Sequence, residues 1–121
     1  MLAVSHENGC EYCMAAHSTV AGIVGMSKAV LTALRSGNIL PSTKLEALHS
    51  FVVDVVRSRG RVSNHRIDEF LNAGYSRQNA LEVVFAVAMK TLSNYANHMT
   101  EAPVDRQFLS QAWETTHSSL A

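Results

Sequence analysis

Val83-Val84-Phe85-Ala86-Val87-Ala88-Met89 is the densest apolar run of this 121-residue chain, and its reading separates an all-helical fold from a mixed one. On a helix, such a run implies burial on most faces, whereas its β-branched valines also allow a strand. A lone strand leaves its backbone polar groups without partners, and no other segment alternates apolar and polar residues as a pairing strand should. The run is therefore read as part of a long helix, capped by Ser76 and continuing to about Met99.

The flanking segments agree with that reading. Upstream of Gly74, Ser63 caps a helix that turns Ile67, Phe70 and Leu71 inward. Before that, Thr43 and Glu46 have capping-box spacing after Pro41, and Leu45, Leu48, Val52, Val55 and Val56 form an apolar stripe ending before Gly60. Two shorter helices precede it, one over about Cys10 to Val24 and one from the cap Ser27 to Arg35, with Val30, Leu31 and Leu34 on one face. Downstream, Pro103 stops the long helix, and Asp105 caps a last one carrying Phe108, Leu109, Ala112 and Trp113 before a polar tail from Thr115. The expectation is an all-α domain of about six helices spanning residues 1–121, with Gly25, Gly37, Gly60 and Gly74 closing helices.

Bulk composition fits one packed domain and narrows its partners. The chain is 47% apolar and 17% charged, with ten basic and ten acidic residues, so no excess of positive charge favours nucleic acid or an anionic membrane. Its start, Met1-Leu2-Ala3-Val4, reaches polar residues too soon for an export signal, and no run approaches the roughly 18 apolar residues of a spanning helix. A soluble cytoplasmic protein is expected. Two cysteines, close together, point to redox or metal chemistry rather than a disulfide framework.

Those cysteines lie in Asn8-Gly9-Cys10-Glu11-Tyr12-Cys13-Met14-Ala15-Ala16-His17. Offsets of three and four put Cys10, Cys13 and His17 on one face at the start of a helix. The spacing suits a reversible disulfide, and the unpaired N–H groups of the first turn stabilise a thiolate. Which sulfur attacks is left open by these arguments: proximity to the helix terminus favours Cys10, and proximity to the His17 base favours Cys13. The plainer alternative is a pair of buried structural cysteines beside a satisfied histidine. A zinc site would draw three ligands from Cys10, Cys13 and His17 and a fourth from His6, Glu7 or His98, but no second cysteine pair exists to close it. No metal or cofactor is expected.

Cys10-Glu11-Tyr12-Cys13-Met14-Ala15-Ala16-His17-Ser18, with Leu2-Ala3-Val4-Ser5 before it, resembles the core motif of the alkylhydroperoxidase D and carboxymuconolactone decarboxylase superfamily. Ser93-Asn94-Tyr95-Ala96-Asn97-His98 and Ala102-Pro103-Val104-Asp105 resemble its later part. The resemblance implies an all-α fold, trimers or hexamers, and reduction of a hydroperoxide at the expense of an external thiol or dithiol. It also implies the roles: Cys13 forms the sulfenic acid, Cys10 donates a proton and resolves, and His17 joins the relay. The family's relay glutamate falls upstream of Met1, so Glu7, one turn from Cys10, is the candidate substitute, with a solvated carboxylate at a helix start as its plainer role.

The other polar residues are read more plainly. Tyr12 packs on the opposite face, Glu11 is solvated, and His98 caps carbonyls or faces water at a helix end. His49 and His65 lie on the surface, and Lys90 pairs or snorkels at an interface. The functional expectation is a thiol-dependent peroxidase. Its alternatives are a decarboxylase-like enzyme of the same superfamily and a non-enzymatic zinc-binding or oligomerisation module.

Overall fold

In the computed structural model, which describes residues 1–115, α1 (Leu2–Glu7), α2 (Glu11–Ile23), α3 (Lys28–Ser36), α4 (Thr43–Ser58), α5 (Asn64–Asn72) and α6 (Arg77–Met99) precede a 3₁₀ helix (Arg106–Gln111). No strand occurs among the described residues, so the chain is all-α. No helix among them is long and apolar enough to cross a membrane. Of the polar tail expected from Thr115, only Thr115 itself lies within the described residues.

Serine hydroxyls start the three helices of the larger core. Ser42, Ser63 and Ser76 accept from the N–H of Leu45, Arg66 and Asn79, and the Ser76 N–H donates in return to Asn79 Oδ1. The cap of α4 is thus Ser42, one residue before the Thr43 expected from capping-box spacing. Glu46 does not reach back to that cap; its carboxylate accepts from Leu40 N–H at 2.7 Å and from Ser50 Oγ at 2.8 Å. Phe70, fully buried, stacks between Phe51 at 4.2 Å and Tyr75 at 4.6 Å, and Val55 and Val83 complete this core between α4, α5 and α6.

A second core joins the amino-terminal helices. Leu2, Met14 and Ala21 meet Leu31, Leu34 and Trp113 there. The periodicity argument does not find α1, whose six residues are too few to display a repeat, yet Leu2, Ala3, Val4 and Ser5 are all buried and the helix touches α2, α3, α4 and α6. Glu7, read as solvated, instead receives two hydrogen bonds from Arg57 of α4, at 2.6 and 3.0 Å, with only 12% of its side chain exposed.

Two further expectations need correction. The last helix is a 3₁₀ turn ending before Ala112 and Trp113, and Asp105 makes no cap bond, because its carboxylate accepts from the Tyr12 hydroxyl at 2.6 Å. The 83–89 run is helical but not buried all round: Val83 is 9% exposed, whereas Val84, Phe85 and Met89 are 49%, 66% and 50% exposed. α6 packs through one stripe only, and positions 83, 87, 90, 94 and 97 face inward with helical spacing.

Candidate functional site

Gly9 sets the entry to the site. Its φ of +64° turns the chain sharply after α1, a conformation that a side chain disfavours, and delivers Cys10 as the N-cap of α2. Cys10 Sγ then accepts the N–H of Cys13 at 3.4 Å, as a cap oxygen would. Cys13, one turn in, lies over the same sulfur. Both are free thiols, 1% and 3% exposed, and the wall opposite them is α6.

That wall supplies hydrogen-bond donors. Asn97 Nδ2 lies 3.2 Å from Cys13 Sγ and 4.0 Å from Cys10 Sγ, and Ser93 Oγ is 4.0 Å from Cys13 Sγ. Asn94, fully buried, is fixed from both sides: its Nδ2 donates to Ser5 Oγ at 3.3 Å and its Oδ1 accepts from Asn8 Nδ2 at 3.0 Å. Asn8 also donates to Thr91 Oγ1 at 3.2 Å, so α1, the Gly9 turn and α6 are stitched together behind the sulfurs.

The two thiols are electrostatically unequal. A hydrogen bond from Cys10 leads the factors that bring Cys13 down to about 5, against burial and with help from Asn94, the Lys90 charge and Asn97. The same bond, with burial, pushes the Cys10 thiol up, outweighing the backbone N–H that it accepts at the helix terminus. The helix-start N–H expected to favour Cys10 is present, 3.4 Å from its sulfur, but it is outweighed there.

His17 lies one turn beyond Cys13, as its spacing requires, but no hydrogen bond joins the two among the described residues. Its Nε2 is 2.6 Å from Lys90 Nζ, a contact across 73 residues of sequence. Burial, then the Lys90 charge, holds the imidazole below its ordinary range, so His17 is neutral near pH 7. His17 also borders an apolar cleft of about 770 Å³ whose walls include Val20, Leu34, Leu48, His49 and Val83. His49, read as a surface residue, points into the protein with 12% of its side chain exposed, and its Nδ1 is 3.4 Å from Glu46 without a hydrogen bond.

Other sequence candidates make no hydrogen bond to the sulfurs among the described residues. Tyr12 packs edge-on against Phe108 with ring centres 6.0 Å apart, and its bond to Asp105 raises the phenol above its ordinary range. Tyr12 thereby ties α2 to the 3₁₀ helix. His98 is exposed at the end of α6, stacked on Tyr95 at 6.3 Å, and His65 is exposed on α5. Among the described residues no group of three His, Cys, Asp or Glu side chains is arranged to hold a metal ion.

Asn97, Ser93, Asn94 and Lys90 are the site residues that the motif alone misses. Their signal was present as a run of polar residues continuing the inward register of Val83 and Val87 along one helix. The chain matches no protein-family model and no curated protein.

Proposed function

We propose that this chain is a thiol-dependent peroxidase of the alkylhydroperoxidase D type, using Cys13, Cys10 and His17. The observation that carries the reading is the geometry of the pair: two buried free thiols one helical turn apart, with the Cys13 N–H on Cys10 Sγ and Asn97 Nδ2 3.2 Å from Cys13 Sγ, a setting that favours thiolate on Cys13 and the proton on Cys10. The division suits a peroxidatic and a resolving sulfur.

The Cys13 thiolate attacks the terminal oxygen of the hydroperoxide. An S–O bond forms, the O–O bond breaks, and the departing alkoxide takes a proton to leave as an alcohol. Cys10 then attacks the sulfenic sulfur, forming the disulfide while the hydroxyl and the thiol proton leave as water. An external thiol or dithiol returns both sulfurs by exchange. His17, neutral and next to Lys90, relays protons in these steps. Antioxidant work in the cytoplasm is the corresponding physiological role.

The same proposal includes a homo-oligomer, a trimer or hexamer by the resemblance. Support comes from the outer face of α6, where Leu81, Phe85, Leu92, Tyr95 and Met99 recur at helical spacing and are 71%, 66%, 74%, 57% and 87% exposed. The functional test is substrate-dependent thiol loss. The reduced chain should convert cumene hydroperoxide to its alcohol while losing two thiols per turnover, and Cys13→Ser should do neither. Equal turnover by Cys13→Ser would reject the assignment.

A further inference from the structure

The spacing of the motif gives His17 the task of activating Cys13, yet the side chain that brings a fixed charge into this site is Lys90. On the outer face of α6 a lysine would reach water; here it sits on the inner stripe, part-buried, with Nζ 2.6 Å from His17 Nε2. Withdrawing an ammonium from water is unfavourable unless partners compensate, and a ring nitrogen offers a lone pair but no negative charge. Lys90 stands on the α6 stripe whose following turns bring Ser93 and Asn97 to Cys13 Sγ, and Ser93 Oγ donates to its carbonyl, so the titrating groups around it are His17 and Cys13 of α2 and the Met1 amino group at the head of α1, whose ionisation burial and Lys90 both suppress. Of these, Cys13 alone becomes an anion.

The geometry points to Lys90 as the positioning residue of the thiol pair: its ammonium donates to His17 Nε2, fixing the ring proton on Nδ1, and its charge holds Cys13 as the thiolate. His17 is then a neutral ring whose Nε2 accepts from Lys90 and whose Nδ1–H is left to donate, not the imidazolium of an ion pair. The cation of the site comes from α6, outside the CxxC motif and its histidine. The consequence for catalysis rests on the peroxidase reading, whereas the thiolate itself is measurable without peroxide.

Two profiles test this on the reduced chain: the pH dependence of Cys13 alkylation by iodoacetamide, assigned by mass spectrometry, and the His17 imidazole titration by NMR. In Lys90→Met, which keeps the stem and removes the charge, the Cys13 midpoint should rise by about one pH unit, an about tenfold lower alkylation rate below the midpoint. The His17 midpoint should rise as well. Lys90→Arg should keep the Cys13 profile near that of the parent, and Lys90→Gln repeats the neutral case if Lys90→Met does not fold. The Met1 amine titrates in every variant, so it does not create the difference. Unmoved profiles in a folded neutral variant would overturn the assignment, as would a parent His17 titrating at or above the ordinary value of about 6.5. A parent that shows the Lys90-dependent thiolate but never consumes hydroperoxide would remove the peroxidase reading and leave Lys90 in place.

Discussion

A buried thiol ordinarily holds its proton more tightly, so the acidity of Cys13 depends on the groups aimed at its sulfur. Asn97 is the closest of the α6 donors, and a hydrogen bond to a charged group contributes about 1.5–3 kcal/mol. Asn97→Leu should therefore raise the Cys13 thiolate midpoint by about one to two pH units in an alkylation profile. Cys10→Ser should still react once with hydroperoxide and then stall as a sulfenic acid, detected by a sulfenate-trapping reagent and mass spectrometry. The same ionisations govern stability. Cys13 titrates near 5 in the fold and near 8.5 in an unfolded chain, so its contribution is complete above about 8.5 and is lost as pH falls toward 5. Cys10, raised in the fold, contributes below about 8.5 and loses that contribution as pH rises further. Denaturant titrations of the reduced protein should show stability rising with pH between these two values, and Cys13→Ser should flatten that rise.

At the level of elements, the capped helices were the legible ones. Ser63 and Ser76 occupy the N-caps that the sequence suggests, because a hydroxyl three residues before a free N–H is a local feature. Ser42 and Thr43 are both competent caps, and spacing to Glu46 alone picked the wrong one, since the carboxylate bonds Leu40 instead. α1 escaped detection through brevity, and the 3₁₀ turn was misread because Asp105 serves Tyr12 across 93 residues of chain. Energetics at this scale are testable. Phe70→Ala opens the stacked core and should cost about 3–5 kcal/mol by denaturant unfolding. Gly9→Ala forces a side chain to φ +64° with its Cβ 3.0 Å from Thr115 Oγ1, and should both destabilise the fold and slow Cys13 alkylation.

For the molecule as a whole, the sequence disclosed the chemistry of one face and hid the wall that completes it. Cys10, Cys13 and His17 are neighbours on one helix, whereas Asn97 meets Cys13 across 84 residues and Lys90 meets His17 across 73, distances at which helical periodicity is silent. The same helix that closes the site turns Phe85 and Leu92 outward, 66% and 74% exposed. Phe85→Glu with Leu92→Glu should convert the proposed oligomer to a smaller species in light scattering while circular dichroism stays helical. The most direct measurement of the central claim is a single turnover of the fully reduced chain with one equivalent of hydroperoxide, quenched by alkylation and mapped by mass spectrometry. The account predicts a Cys10–Cys13 disulfide formed through a Cys13 sulfenic acid, with one equivalent of alcohol released. Two alkylated cysteines beside unconsumed hydroperoxide, or a sulfenic acid on Cys10, would contradict it.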